Sequence, residues 1–317
     1  MKVYKLAPDV EFIDISPPIY GFRNFIGVYV LRGEKIALID VGPLSSQEKL
    51  FAGLKESGIA LTDINYILVT HIHLDHIGNL GEAMRQMPNA VAIVHEKGKP
   101  HLIAPARLWE SSQQTLGELA IKYGQPTPVP EDKLIAAKDA MKIDLGSMDI
   151  EVLLSPGHAS HHLNFLDIKE RRLFVGDSVG VYIEDIDLIR PDTPSPLNLD
   201  QALSSLDKLI AVSPASLCFT HFGCVSNAIE RLRSHKQRMA LWGRIIAEHL
   251  ADEADWQTVY EEIKKTDKVM ERINLLPPDL REREFYFIER SIAGYINYFK
   301  KYGTEFLKAY TSLNWMV

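Results

Sequence analysis

A chain of 317 residues, 46% hydrophobic and 24% charged, has the composition of an ordinary globular protein and is long enough for one large domain with an appendage or two small ones. Its formal net charge of −7 argues against the broad basic stripe of a nucleic-acid-binding surface, and two cysteines, Cys218 and Cys224, exclude a disulfide framework. The start of the chain, Met1-Lys2-Val3-Tyr4-Lys5-Leu6-Ala7-Pro8-Asp9, lacks the apolar core and cleavage pattern of a signal peptide, and no later stretch reaches the length of a membrane span. A cytoplasmic location with no membrane partner is the expectation.

Residues 1 to 42 read as strands, with Phe25–Leu31 and Lys35–Asp40 forming a hairpin about the turn Arg32-Gly33-Glu34. Ser45 and Glu48 have capping-box spacing ahead of an amphipathic helix through Leu50, Phe51 and Leu54, which stops at Gly58. The apolar run Ile64–Thr70 then reads as a buried parallel strand. A helix from about Gly78 to Gln86 and a strand Val91–His95 follow; His95 is read as a core or rim histidine. Between the two strands lies Thr70-His71-Ile72-His73-Leu74-Asp75-His76.

Three imidazoles and a carboxylate in six residues carry more nitrogen and oxygen than a core buries without a partner, and a metal ion is the obvious one. In a loop leaving a parallel strand, His71 and His73 can converge on one ion, while Asp75 and His76, after the chain turns, face a second point. Complementary donors recur after later apolar runs: His158 in Ser155-Pro156-Gly157-His158, Asp177 in Val175-Gly176-Asp177 and His221 in Thr220-His221-Phe222-Gly223. A set of idle surface histidines would have no such matching donors.

The HxHxDH, PGH, GD and THFG elements, in this order over residues 20 to 225, resemble the metallo-β-lactamase superfamily. The resemblance implies a four-layer αββα sandwich of α/β class over residues 1–225, with an insertion at 98–130 near the site and a helical extension at 226–317. It further implies that His71, His73 and His158 hold a first metal and Asp75, His76 and His221 a second, with Asp177 bridging them. Asp40 would lie beneath this site; the residue also reads as an ordinary helix-entry turn. An aspartate at the bridging position is similar to the glyoxalase II, lactonase and persulfide dioxygenase branches and disfavours a true lactamase. The lactonase tyrosine, three residues after the bridging aspartate, is here Gly180, and Tyr182 replaces it only with a different loop geometry.

In relatives the insertion walls the active-site mouth, and here Trp109, Tyr123 and a helical pattern at Leu116, Leu119 and Ile121 suit an apolar wall. Strands at Met141–Leu145 and Met148–Leu154 open the second half, and a hairpin through Lys169–Arg172 leads to Asp177. His161 and His162 are read as packing or supporting groups rather than ligands. The proline-rich loop Pro191–Pro196 is a rim candidate, and an amphipathic helix through Leu199, Leu203, Leu206 and Ile210 precedes the His221 strand. Beyond Gly223 two helical blocks, broken at Leu276-Pro277-Pro278, carry apolar faces (Leu232, Met239, Trp242; Ile288, Ile292, Tyr295) that should cap the metal cleft or form a homodimer seam. Arg231, Arg233, Lys236 and Arg238 read as a solvated face, and Cys218 as a small buried side chain.

The expected function is binuclear metal-dependent hydrolysis of a carboxylic ester, thioester or lactone by a metal-bridging hydroxide, with Asp75 and Asp177 as catalytic residues and Asp75 passing a proton to the leaving group. Two divalent ions, zinc first with iron or manganese as alternatives, and a small-molecule substrate are implied. The competing readings are a mononuclear iron persulfide dioxygenase, a phosphodiesterase, which no arginine or lysine cluster near the motifs favours, and a non-catalytic metal-binding protein. Glutathione specificity lacks a matching basic patch in the C-terminal helices.

Overall fold

In the computed structural model, which describes residues 2–250, 254–305 and 307, fifteen strands and ten α-helices are arranged around two stacked sheets. The chain opens with β1 (Lys2–Ala7), β2 (Val10–Asp14), β3 (Gly27–Arg32) and β4 (Ile36–Ile39), an antiparallel meander. Helix α1 (Gln47–Glu56) then leads to β5 (Ile64–Leu68), and the short α2 (Leu74–Ile77) and α3 (Leu80–Gln86) lead to β6 (Val91–His95). The insertion folds as α4 (Lys99–Ile103), α5 (Ala106–Leu116) and α6 (Glu118–Tyr123), followed by β7 (Leu134–Ala137). Strands β4 to β7 pair in parallel, completing a seven-stranded sheet in sequence order.

The second sheet takes β8 (Lys142–Asp144), β9 (Asp149–Leu154), β10 (Leu163–Asp167) and β11 (Arg172–Phe174), then β14 (Ser216–Phe219) and β15 (Gly223–Val225), in the order β15-β14-β11-β10-β9-β8. Between β11 and β14 lie a separate hairpin, β12 (Val181–Ile183) with β13 (Leu188–Arg190), and helix α7 (Leu199–Val212). Helices α8 (Ala228–Glu248), α9 (Trp256–Thr266) and α10 (Pro278–Tyr302) complete the chain.

The central strands are apolar on both faces because both faces are covered, whereas the edge strands β1 and β8 carry exposed polar residues. Along β3, Tyr29 and Leu31 join the layer between the sheets while Val28 and Val30 join the helix-covered layer; β6 divides in the same way, Ile93 inward and Ala92 and Val94 outward. On the facing sheet Phe165 and Phe174 point to the inter-sheet layer and Leu166 and Leu173 to the other. This is the α/β sandwich with C-terminal helices that the motifs imply.

Local expectations were revised in several places. Helix α1 starts at Gln47, capped by Ser46 without a side-chain hydrogen bond, so the Ser45/Glu48 capping box does not form; Ser45 sits in a preceding 3-10 turn. Between Asp177 and the proline-rich loop, β12 and β13 form a hairpin that the sequence did not signal. Ile121 is 64% exposed, because the break at Gly117 (φ 59°) changes the helical phase between α5 and α6. Arg238 is not on a solvated face: its Nε donates to Asp267 Oδ2 at 2.6 Å with both side chains largely buried, and Arg231 pairs with Asp187 at 2.8 Å. Cys218 is buried as expected but is bonded to Cys224 across the β14–β15 hairpin.

The C-terminal helices lie against the sandwich. Helix α8 packs on α7, and the close approach of α10 to the 191–196 loop requires Gly294, where a Cβ would lie 1.7 Å from the Thr193 carbonyl oxygen. Among the described residues no helix is long and apolar enough to cross a membrane.

Candidate metal centre

Every motif residue sits just beyond the end of a strand or at a turn fixed by backbone hydrogen bonds. After β5, Thr70 is held on both sides: its N–H and its Oγ1 donate to Asp40 Oδ1 and Oδ2, each at 2.8 Å, and its carbonyl accepts from Leu163 N–H across to the second sheet at 2.7 Å. His71 and His73 follow in extended chain. The amides of His76 and Ile77 then donate to the His73 carbonyl at 3.1 and 3.0 Å, and the turn of α2 swings Asp75 and His76 to a different side of the backbone.

Asp177 is reached through Gly176, whose φ of 47° is accompanied by a tight fit: a Cβ there would lie 2.8 Å from His162 Nε2 and 2.9 Å from Thr70 Cβ. His162, fully buried, accepts the Asp177 amide proton on Nε2 at 3.1 Å and stacks on His71 with ring centroids 4.9 Å apart. It therefore supports the site without joining the donor set, as does Asp40.

The ring orientations are set from behind. His158 Nδ1 donates to the Asp192 carbonyl at 2.8 Å, His221 Nδ1 to the Phe25 carbonyl at 2.6 Å and His76 Nδ1 to Asp40 Oδ2 at 2.8 Å, which leaves each Nε2 facing inward as an acceptor. Thr220 Oγ1 also reaches Asp40, at 3.3 Å.

The inward atoms fall into two groups. His71, His73, His158 and Asp177 each offer one donor atom within 4.8 Å of the others, and Asp75, His76 and His221 do the same. Asp177 spans both: Oδ2 lies 3.5 Å from His158 Nε2 and 3.7 Å from His71 Nε2, while Oδ1 lies 3.3 Å from His76 Nε2 and 3.7 Å from His221 Nε2. All seven residues singled out in the sequence are brought together.

These residues fit metal ions on their own chemistry. Among the described residues His76 Nε2 and Asp177 Oδ1 are buried without a hydrogen-bond partner, and His73 Nδ1 lies 2.9 Å from His71 Nε2 and 3.1 Å from His158 Nε2. Ring nitrogens that crowd together in a buried site are stabilised by a shared cation, and a set of nitrogen and carboxylate donors suits zinc, iron or manganese.

Electrostatics keep His71, His73 and the two carboxylates in the form that binds metal, while the carboxylates raise the proton affinity of His76 and His221, so that an ion there would displace a proton. Burial pushes His71 well below its usual range and, with the neighbouring His158, brings His73 down to about 3, so both are neutral imidazoles. Burial alone would raise Asp177 and Asp75, but His76 and His221 outweigh it and hold both carboxyls below the usual range. At His76, burial is overcome by Asp177, Asp40 and Asp75, which raise it above the ordinary histidine value.

His73 and Asp177 of the first group and Asp75 and His221 of the second form the floor of a cavity of about 440 Å³. Leu108, Leu116 and Leu119 of the insertion and Phe287 of α10 wall it, and Pro194, Ser195 and Pro196 form part of the rim. His161 also lines it, whereas Trp109 does not, and Tyr182 lies outside, with its hydroxyl donating to Asp187 Oδ1 at 3.0 Å. Tyr182 therefore does not replace the lactonase tyrosine. Two arginines, Arg107 of α5 and Arg290 of α10, line the cavity as well. The sequence reading found no basic cluster near the motifs because these two lie far from every ligand in the chain and meet only when the insertion and tail close over the site; Tyr286 Oη donates to the Leu116 carbonyl at 3.2 Å where they touch.

Two stacked mixed sheets carrying a histidine and aspartate cluster at their strand ends define a metallohydrolase sandwich. The chain belongs to the metallo-beta-lactamase superfamily, whose family model matches residues 22–221, and is a hydrolase of that superfamily. It is 32% identical over 223 residues to the metallo-beta-lactamase fold-containing protein ST1585 of Sulfurisphaera tokodaii, covering 69% of this chain and 80% of that one. The crystal structure of the archaeal protein ST1585 from Sulfolobus tokodaii superposes with a TM-score of 0.68 at 25% identity, covering 92% of this chain and 99% of that one. A metallo-beta-lactamase family protein of Thermus thermophilus, TTHA1429, shares the fold with a TM-score of 0.69 at 20% identity, over 94% and 95% of the two chains. A hydroxyacylglutathione hydrolase of Vibrio cholerae is 25% identical over 189 residues, 60% of this chain and 57% of that one.

Proposed function

We propose that the protein is a binuclear metal-dependent hydrolase of a carboxylic ester, thioester or lactone. The observation that carries this reading is the position of Asp177, one oxygen toward each donor group, at the floor of a largely apolar cavity. His71, His73 and His158 would hold one divalent ion and Asp75, His76 and His221 a second, with Asp177 facing both, and such ions would supply an acidified water and polarisation of a substrate oxygen.

The chain's own residues do the rest. Asp75, ionised and 3.5 Å from His221 Nε2, accepts a proton from the attacking water and returns it to the leaving oxygen or sulfur, so that acid and alcohol or thiol are released with one water consumed. Asp177, also ionised, holds the two halves of the site at fixed separation. The leucines of the insertion and Phe287 accept an apolar acyl or leaving group and displace water around it. The likeness to hydroxyacylglutathione hydrolases supports the thioester member of the class.

A second reading, phosphodiester hydrolysis, draws support from Arg107 and Arg290, which offer positive charge to an anionic substrate. Metal analysis of protein purified without added metal, combined with ester, thioester, lactone and phosphodiester substrates, separates the two. Two ions per chain and turnover confined to carboxylic substrates is the expected result; turnover confined to phosphodiesters, or at most one ion under saturating zinc, iron or manganese, overturns the proposal.

A further inference from the structure

Tyr123 closes α6 at the end of the insertion, and α6 packs against α2, the turn that carries Asp75 and His76. The side chain is 1% exposed, yet it lines the metal cavity beside Asp75, Asp177 and His221, and it is the sole tyrosine among the residues that do. Its hydroxyl has no hydrogen-bond partner among the described residues. A phenol carries one donor and acceptor capacity, and burying it unpaired is unfavourable where phenylalanine would fill the same space. The ring is well anchored, edge-on to Phe22 with centroids 6.3 Å apart, so the packing is secured without the hydroxyl.

An unsatisfied donor in a reaction cavity is accounted for when the substrate supplies the acceptor. We propose that Tyr123 is a catalytic residue of the hydrolysis put forward above, on which this inference rests: its hydroxyl donates a hydrogen bond to the substrate oxygen that gains negative charge as water adds to the carbonyl carbon. The O–H bond stays intact; the contribution is a fixed dipole aimed at developing charge in a site shielded from water. A phenol ordinarily titrates at about pH 10, roughly three units above neutrality, so the donor proton is in place at neutral pH.

The test compares metal-replete wild type with Tyr123→Phe on 4-nitrophenyl acetate, S-phenyl thioacetate and δ-valerolactone. With whichever of these the wild type turns over, kcat is expected to fall on the order of a hundredfold while KM stays within about threefold. Metal content and melting temperature should be unchanged, or the melting temperature raised, since an unpaired buried hydroxyl has been removed. Binding of phenyl methylphosphonate, a tetrahedral mimic, measured by calorimetry, should weaken about tenfold or more in the variant. A fully active variant with an active wild type overturns the role of Tyr123 alone, as does a loss of activity that merely follows lost metal or a lowered melting temperature. A wild type inactive on all three substrates overturns the hydrolase reading itself, and the role of Tyr123 with it.

Discussion

Arg190 and Glu284, 94 residues apart in the chain, meet as a fully buried ion pair in which Arg190 Nε donates to Glu284 Oε2 at 2.7 Å. The same guanidinium donates from Nη1 to the Pro191 carbonyl at 2.7 Å and to Asp192 Oδ1 at 3.2 Å, and the Asp192 carbonyl in turn receives His158 Nδ1. The C-terminal helix thus reaches a metal donor through two residues. Replacing Glu284 with glutamine leaves the buried Arg190 charge with Asp192 as its remaining carboxylate partner, and a loss of about 3 kcal/mol in unfolding free energy is expected. Denaturant melts of wild type and Glu284→Gln check this; a change under about 1 kcal/mol would refute it.

His221 belongs to the donor group that a mononuclear mechanism does not need. His221→Ala should lower the metal content from two ions to one and reduce hydrolytic turnover on the order of a hundredfold, about 2.7 kcal/mol of barrier. The companion measurement is oxygen uptake with glutathione persulfide. Robust uptake that survives the substitution would favour a mononuclear iron dioxygenase over the hydrolase.

His235 on α8 is 1% exposed with Nδ1 unpartnered, and burial, with Arg238 beside it, pushes its pKa down to about 3. The unfolded chain binds a proton there near pH 6.5, whereas the folded chain does not until about pH 3. Its stability is therefore complete above pH 6.5 and is lost as the pH falls from there toward 3, by about 2 kcal/mol at pH 5. Between pH 7.5 and pH 5 the wild type should lose about 2 kcal/mol more unfolding free energy than His235→Leu. Equal losses in the two proteins would show that His235 is not responsible.

The helices after Asn227 bury Leu232, Trp242, Ile288, Ile292 and Tyr295. Ending the chain at Asn227 uncovers the surfaces they pack on, and insoluble or unstable protein is expected. A soluble truncation with unchanged metal binding and melting temperature would contradict this.

The donors were legible because their chemistry is written in short stretches: His71 to His76 share one loop, and His158, Asp177 and His221 each follow an apolar strand. The strands were legible for a related reason, since burial on both faces leaves near-continuous runs such as Ile64–Leu68 and Val91–His95. What pairs across long separations was not. Arg190 with Glu284, Arg238 with Asp267 and Arg290 with the cavity depend on how α8 and α10 settle on the sandwich, and no local pattern encodes that. Tyr123 stood out as an aromatic of the insertion, but its unpaired hydroxyl appears only once the neighbours are in place. The Ser45/Glu48 spacing misled because a 3-10 turn moved the helix start to Gln47.

The contact between Tyr286 and the Leu116 carbonyl joins the two stretches, residues 99–123 and 278–302, that wall the cavity, while every metal donor sits at a strand end or turn of the sandwich. The metal donors and the walls that select a substrate are therefore encoded in separate parts of the chain, with Tyr123 alone joining the walls to the chemistry. Changes at the wall positions Leu108, Leu116, Leu119 and Phe287 can redirect the enzyme to new substrates while the metal donors and Tyr123 stay in place, so a relative with the same seven donors need not share this protein's substrate. For an engineer, those wall side chains are the positions to exchange.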